Sequence, residues 1–490
     1  MLDIYIKDTI KHSSKYFVIV LLIYIIGFVT VPVYTRFFSP EEYGKLSLIN
    51  ISVSIVVIIA EVGLPDAIIR FFPEYKTKKK EMFFTILILS FICSTIIAFF
   101  YSVEIFVLKN FLGASFYLFK LSVLIVIVNS IFSVLATFFR SEKNIREYGI
   151  SVLSRAYLGF FLSIILITRF NFGLIGVLLG SFLVTLIIDI LIVFFKLFSK
   201  NKIGIKFFSF LSAKKFILFG FPLIFNRLSN WILGASDRYF IAIFRGSADV
   251  GLYSVGYGIS QYSINLLIMS FSLATGPLII EFWEKNGRNA TENFLKVLTR
   301  YYCIIGVPIV VGITVLSKSI IEILTPVEYH NAYLFVPFVV IGIFIFGFYF
   351  AANTGLIIAK KTKKLSELWI IAAILNISLN IFFVPAYGAI GAAFTTMLSY
   401  LVGILLVTYH SSKYLTWSVS IRSFGEILIS SLTMGIFISF LDSFLRTTIL
   451  NVIFLILIGI LIYLTALFLL KEIKKEEINE MKNLFLGKCF

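Results

Sequence analysis

Long apolar runs of membrane length constrain this 490-residue sequence more than any other feature. A membrane-spanning helix needs roughly 20 consecutive apolar residues. Fourteen such runs lie at approximately 16–34, 46–66, 82–103, 116–138, 150–168, 174–195, 216–235, 252–272, 298–317, 333–357, 368–384, 388–409, 424–441 and 449–470. With 59% hydrophobic and only 14% charged residues, the composition excludes an ordinary soluble enzyme, a disordered chain and a disulfide scaffold. We therefore predict an all-α integral membrane protein with about fourteen transmembrane helices.

The distribution of basic residues predicts the orientation. An even number of spans places both termini on one side, and Lys and Arg concentrate in cytoplasmic loops. Four arginines at or within span ends are left aside: Arg70, Arg155, Arg227 and Arg300. Of the remaining 39 Lys and Arg, the loops on the side of the termini hold 30 and those on the opposite side hold nine. We expect a multi-pass protein of the cytoplasmic membrane with both termini cytoplasmic. The net charge of +17 is then explained by topology and contact with anionic membrane lipids, not by nucleic acid as partner.

Motifs for metal binding and ATP hydrolysis do not occur in the sequence. The three cysteines and three histidines lack metal-ligand spacing, and no P-loop pattern is present. The predicted outer loops are too short for a folded catalytic domain. We expect a protein that is not an enzyme and has no cofactor, with transport energy supplied by a gradient, by mass action or by a partner.

Two pairs of similar segments indicate an internal repeat. Residues 37–47 (FFSPEEYGKLS) match residues 244–254 (FRGSADVGLYS) at an offset of 207, and residues 173–177 match 388–392 at an offset of 215. Six spans per repeat give both halves one orientation and a pseudo-twofold axis along the membrane normal. The predicted domains are two six-helix lobes, two additional helices and a cytoplasmic tail, at 1–200, 207–412, 413–470 and 471–490.

Three stretches of the sequence resemble the Wzx-type polysaccharide transporters of the multidrug/oligosaccharidyl-lipid/polysaccharide exporter superfamily. They are residues 34–44 (YTRFFSPEEYG), residues 220–224 (GFPLI) with 237–240 (DRYF) and 250–254 (VGLYS), and residues 375–380 (LNISLN) with 384–393 (VPAYGAIGAA). The resemblance implies two six-helix lobes around a central cavity and alternating access. It also implies that the substrate is an undecaprenyl-pyrophosphate-linked oligosaccharide for O-antigen or a related surface polysaccharide, with the polysaccharide polymerase machinery as a partner.

Arginines inside the spans are the candidate substrate-binding residues, since charges at membrane depth usually face a cavity or a partner. Arg227 lies near the middle of the seventh span, and Asn230 and Arg238 continue its face. A guanidinium offers paired donors that suit a pyrophosphate. The alternative is a structural ion pair between Arg227 and an acid on another helix.

Three further arginines lie at span ends. Arg155 and Arg300 are close to predicted cytoplasmic ends, where they either line the mouth of the cavity or extend toward the interface. Arg36, at an outer end, is a candidate for guiding release of the headgroup.

A polar stripe and two acids complete the candidate residues. Ser254, Tyr257, Gln261 and Asn265 share one face of the eighth span, where they either contact sugar or pack against other helices. Asp189 and Glu61 are candidates for H⁺ or Na⁺ coupling, and the alternative is that each neutralises an arginine.

The leading hypothesis is a flippase for lipid-linked oligosaccharides. A cation-coupled multidrug antiporter of the same superfamily is the nearest alternative, although such sites rely on acids and this chain has more arginines in candidate positions. A membrane glycan polymerase or ligase is less favoured, because it would need a substantial external loop.

Overall fold

The computed structural model describes residues 2–107, 116–198 and 207–472, and the chain is helical throughout, with no strand in these ranges. The helices are α1 (Leu2–Phe37), α2 (Pro40–Ala60), α3 (Leu64–Phe71), α4 (Lys79–Val107), α5 (Phe116–Ser141), α6 (Ile145–Thr168), α7 (Gly173–Phe198), α8 (Phe210–Gly220), α9 (Ile224–Ala235), α10 (Asp237–Arg245), α11 (Ser247–Leu324), α12 (Val336–Gly347), α13 (Tyr349–Ala352), α14 (Thr354–Ile358), α15 (Thr362–Ser411), α16 (Ile421–Asp442) and α17 (Ile449–Leu469). The predicted all-α membrane fold is confirmed.

Twelve helical segments of the described chain are long and apolar enough to cross a membrane. The sequence count of fourteen differs for two physical reasons. Predicted spans eleven and twelve lie in the single 50-residue helical segment Thr362–Ser411. Predicted span eight, 252–272, is helical within α11, but its Ser, Tyr, Gln and Asn side chains make it less apolar than the other spans.

Glycines with positive φ divide the two longest helices. Gly287 (φ 72°) interrupts α11, and Gly388 (φ 60°, ψ −140°) interrupts α15 between predicted spans eleven and twelve. Arg245 stabilises the second break, since its Nη2 donates hydrogen bonds to the carbonyls of Pro385 (2.8 Å) and Ala386 (3.3 Å). Two membrane-length helices can therefore follow each other without a loop.

The start of α2 shows how local sequence fixes a helix end. Ser39 is the N-cap, and its hydroxyl accepts a hydrogen bond from the backbone N–H of Glu42. The Glu42 carboxylate in turn accepts one from the N–H of Ser39 at 3.0 Å. This capping box satisfies amide groups that would otherwise lack partners in the first turn.

The chain contains two compact units. The first unit comprises Met1–Ser254 and Trp369–Gly388, and the second comprises Val255–Leu368 and Ala389–Phe490. The lobe boundaries inferred from the repeat stay a prediction. Residues 473–490, most of the predicted tail, lie outside the described part of the chain.

Aromatic packing organises the second unit around Tyr302. Its side chain is fully buried, and its hydroxyl donates to the carbonyl of Phe344 at 2.8 Å. The rings of Tyr302 and Phe344 stack with centroids 5.0 Å apart, and Phe348 and Phe350 meet Tyr302 edge-on. Such pairs add to the energy of apolar burial.

In the first unit, the two similar segments that follow α1 and α10 pack against each other. A Cβ atom at Gly44 would lie 1.8 Å from the carbonyl oxygen of Ser247, and one at Gly251 would lie 1.9 Å from that of Pro40. Pro40 and Ser247 are themselves equivalent at the offset of 207, so the contact is reciprocal. Only glycine allows two helices to approach this closely.

Candidate functional site

Arg227 and Glu61 form an ion pair within the first unit. Nη1 of Arg227 donates to Oε2 of Glu61, and its Nε lies 3.9 Å from Oδ2 of Asp66. The Glu61 side chain is 3% exposed, whereas that of Arg227 is 32% exposed. The pair therefore joins a predicted substrate-binding residue to a predicted coupling residue, as the ion-pair alternative for Arg227 anticipated.

Two glycines bring these side chains together. Glu61 follows α2 in a tight turn that includes Gly63 in a left-handed conformation (φ 69°). This turn packs against the end of α8, where a Cβ at Gly63 would lie 2.1 Å from the carbonyl oxygen of Gly220. Because α9 begins four residues after Gly220, the first turn of α9 places Arg227 beside Glu61.

Helix α5 contributes three polar side chains at helical spacing. Ser133 hydrogen-bonds to Glu61, and Arg140 acts electrostatically on Asp66. Asn129 accepts a 2.8 Å hydrogen bond from Nη2 of Arg155. Residues four and seven apart share a face of a helix, so α5 presents one polar line among apolar residues.

Asp189 on α7 is buried, with 5% of its surface exposed. Neither carboxylate oxygen has a hydrogen-bond partner among the described residues, although Asp189 interacts electrostatically with Arg155. Arg155 also lies over the Phe132 ring, with 4.5 Å from its guanidinium carbon to the ring centroid. A buried carboxylate without hydrogen bonds is energetically expensive, and such groups cluster at functional sites.

We call this group of six ionisable residues the N-terminal charge cluster. Its members are the acids Glu61, Asp66 and Asp189 and the arginines Arg140, Arg155 and Arg227. The charges balance, which reduces the cost of holding ions in a low-dielectric setting. Binding an anion, a proton or a cation would disturb that balance and change the pairing.

The continuous face predicted for Arg227, Asn230 and Arg238 is divided between two helices. Asn230 is exposed on α9, and its amide donates to the carbonyl of Asn226 at 3.0 Å. Arg238 belongs to α10 and is 8% exposed. Its donors bond to Gly234 (3.1 Å), Ser254 (3.3 Å) and Asp237 (3.3 Å).

The Arg238 guanidinium also lies over the ring of Tyr253, 5.4 Å from its centroid, and the Tyr253 hydroxyl donates to Asp237. Arg238 is thus held by protein groups. Its predicted contact with substrate stays a prediction.

The remaining predicted arginines, Arg300 and Arg36, bond to residues outside the N-terminal charge cluster. Arg300, in the second unit, forms a 2.7 Å ion pair with Glu472. The same Glu472 carboxylate accepts a hydrogen bond from Ser423. Arg36 is exposed at the end of α1 and donates to the carbonyl of Pro32 at 3.1 Å.

The residues of the predicted polar stripe differ in their surroundings. Ser254 shares a 2.7 Å hydrogen bond with Ser47 and accepts one from Arg238, as the helix-packing alternative expects. Tyr257 is buried at 5% exposure, and Gln261 and Asn265 are half-buried on the same helix.

Asn129, Ser133 and Arg140 were not among the residues predicted from the sequence. Their spacing of four and seven within an apolar span is the signal that indicates them. For metals, no group of His, Cys, Asp or Glu within the described ranges could hold an ion.

A multi-pass helical protein with balanced charges on its membrane helices has the features of a membrane transporter. The family model "Polysaccharide biosynthesis protein" matches residues 10–283, more than half of the chain, and the chain belongs to this family. A second model, MatE, matches residues 222–382. Together these matches place the chain among the flippases and transporters of the multidrug/oligosaccharidyl-lipid/polysaccharide superfamily.

Three known proteins illustrate the relationship. "Probable low-salt glycan biosynthesis flippase Agl15" of Haloferax volcanii is 22% identical over 288 residues, which cover 56% of this chain and 59% of Agl15. The structure of "Lipid II flippase MurJ, inward closed conformation" has a TM-score of 0.67 at 19% identity and covers 92% of this chain and 97% of MurJ. An inward-facing multidrug resistance MATE transporter has a TM-score of 0.66 at 16% identity and covers 80% and 95%. These structures share the fold.

Proposed function

We propose that this protein is a flippase that moves a polyprenyl-pyrophosphate-linked oligosaccharide across the cytoplasmic membrane for surface polysaccharide synthesis. The proposal is supported by membership of the polysaccharide biosynthesis family and by the named activities of Agl15 and MurJ. Within this proposal the undecaprenyl form of the carrier is the expected substrate, and the polymerase machinery is the expected partner. Transport proceeds by alternating access and involves no enzymatic reaction.

The observation that carries the proposal is the incomplete pairing of Arg227. Its Nη1 bonds to Glu61, but its Nη2 has no hydrogen-bond partner among the described residues and its side chain stays 32% exposed. Donors held in place on a membrane helix and still accessible can bond to phosphate oxygens. Arg227 therefore binds the pyrophosphate, with exposed Asn230 one turn away for the first sugar.

Coupling follows from the same pair. Protonation of Glu61, or Na⁺ bound there, weakens its hold on Arg227 and frees the guanidinium for the pyrophosphate. Asp189 acts in the same way on Arg155, since its carboxylate oxygens have no hydrogen-bond partner in the described structure. An ion gradient then drives exchange of each arginine between its carboxylate and the substrate.

The test is translocation of a fluorescent polyprenyl-pyrophosphate oligosaccharide by the purified protein in proteoliposomes, with H⁺ and Na⁺ gradients applied separately. Arg227→Ala should reduce the rate at least tenfold, and Arg227→Lys should restore only part of it because a lysine cannot bond bidentately. Glu61→Gln should keep transport but lose its dependence on the gradient.

Arg70→Ala is the matched control, because Arg70 is an exposed arginine paired with Glu74 outside the cluster. Normal transport by an Arg227→Ala protein of unchanged thermal stability would refute the proposal.

The MatE match supports one alternative, a cation-coupled multidrug antiporter. The same proteoliposomes distinguish the two functions. Efflux of a cationic dye driven by the gradient, without movement of the lipid-linked oligosaccharide, would establish the antiporter.

A further inference from the structure

Five lysines surround a cavity of about 520 Å³ at the ends of α4, α5 and α7. They are Lys76, Lys78, Lys79, Lys80 and Lys196. Two glutamates, Glu81 and Glu142, also line it, so the lining carries three positive charges in excess. We call this space the basic cavity.

The nearby carboxylate Glu74 does not remove this excess. It is bonded to Lys215 at 2.6 Å and to Arg70 at 3.2 Å, and neither of these bases lines the basic cavity. The hydrogen bond from Lys215 lowers the pKa of the Glu74 carboxyl, so Glu74 stays ionised and paired with Lys215. The basic cavity thus attracts an anion.

A second cavity of about 520 Å³ lies between α6 and α7. Most of its lining is apolar, with Leu158, Val184, Ile187 and Leu191 included. Ser151 and Ser154 also line it, and it begins at Glu147 and Lys196. From Glu147 to Leu158 the groove follows α6 for about 16 Å at 1.5 Å per residue. That length is about half of a hydrocarbon core of ~30 Å, or one leaflet. We call this space the apolar groove.

Lys196 lines both spaces and joins them. Its Nζ lies 3.6 Å from Glu142 and from Glu147 and 5.2 Å from the centroid of the Phe139 ring. Ion pairs at 3.6 Å are longer than ordinary charge-assisted hydrogen bonds, which leaves Lys196 able to bond an incoming oxyanion. A charged space and an apolar space that meet at one cation match the two parts of an amphiphile.

We propose that the basic cavity and the apolar groove together bind one anionic phospholipid. The phosphate headgroup lies among Lys78, Lys80 and Lys196, and an acyl chain lies between α6 and α7. The groove spans one leaflet, which matches an acyl chain of a bilayer phospholipid. None of the residues that line the two spaces belongs to the N-terminal charge cluster, and phospholipid binding needs neither oligosaccharide nor ion gradient.

Binding of fluorescent phosphatidylglycerol and phosphatidylcholine with identical chains to the purified full-length protein in nanodiscs tests the site. Wild type should prefer phosphatidylglycerol at least tenfold, with a preference that declines as salt is raised. Lys78→Ala/Lys80→Ala should reduce that preference about tenfold. Its control is Lys361→Ala/Lys363→Ala, in the basic run at the start of α15, which should leave the preference unchanged.

Two isoleucines of α7 provide a substitution that tests the apolar groove and a matched control. Ile187 and Ile190 are 53% and 56% exposed on the same helix, but only Ile187 lines the groove. Ile187→Trp should fill the groove and weaken phosphatidylglycerol binding at least fivefold, whereas Ile190→Trp should not. Equal binding of phosphatidylglycerol by wild type, by Lys78→Ala/Lys80→Ala and by Ile187→Trp would overturn the proposal. So would tight binding of a polyprenyl phosphate that the same substitutions abolish while phosphatidylglycerol binding is unaffected.

Discussion

Ser47 and Ser254, which are 207 residues apart, hydrogen-bond to each other through their side-chain hydroxyls at 2.7 Å. They occupy the same position in the two similar segments of the sequence. Gly44 and Gly251, three residues earlier in each segment, make the reciprocal close contacts with Ser247 and Pro40. Gly44 contacts Ser247, and the equivalents of these two residues, Gly251 and Pro40, make the same contact in reverse. Such reciprocal contacts are characteristic of local twofold symmetry.

Replacing Gly44 by alanine should strongly destabilise the protein. The added methyl group would lie 1.8 Å from a backbone oxygen, so the helices must separate. We expect a loss of about 3 kcal/mol or more, at the upper end of overpacking effects. Thermal unfolding of the purified variant measures it.

Gly425→Ala is the control for this substitution, because a Cβ at Gly425 meets nothing within 4 Å. Alanine there should leave stability unchanged or raise it by about 0.5–1 kcal/mol through helix propensity. Similar unfolding temperatures for the two variants would contradict the close contact.

The bond between Tyr253 and Asp237 should contribute measurably to stability. Tyr253 is fully buried, and Tyr253→Phe removes the hydroxyl that donates to the Asp237 carboxylate. Hydrogen bonds to charged groups contribute about 1.5–3 kcal/mol. Unfolding of Tyr253→Phe should show a loss in this range, and Tyr409→Phe, at an exposed tyrosine, should show none. Equal stability of both variants would argue against the network.

Gly388→Ala should destabilise the break in α15. The φ of 60° and ψ of −140° lie in a region that is essentially restricted to glycine. We expect a loss of about 1–3 kcal/mol. Thermal unfolding again measures the effect, and a wild-type value would indicate a continuous or differently bent helix.

Glu61 and Arg227 should show strong coupling in a double-mutant cycle. Arg227→Gln leaves the buried Glu61 carboxylate without its guanidinium, and Glu61→Gln leaves the more exposed Arg227, which water can still solvate. The first variant should therefore unfold more readily than the second. The double variant should recover at least 1 kcal/mol relative to the sum of the single effects. Additive effects would show that the two groups do not interact.

Hydropathy identified most helices, because burial in lipid demands an apolar segment of fixed length. It also separated spans eleven and twelve beside Gly388, although no polar loop marks the break that the structure shows there. The arginines were also recognised as unusual from sequence alone. Their partners were not, because Glu61 and Arg227 are 166 residues apart and meet through tertiary packing, including that of Gly63 on Gly220.

The Gly44–Gly251 contact depends on the absence of side chains and not on charge, so the residues around it can differ between the two segments without separating the helices. At the offset of 207, Asp237, Arg238 and Tyr253 correspond to Thr30, Val31 and Leu46. The ionic network of Asp237 and Arg238 is therefore present on one side of the offset and absent from the equivalent positions, whereas both segments have the glycine at the contact.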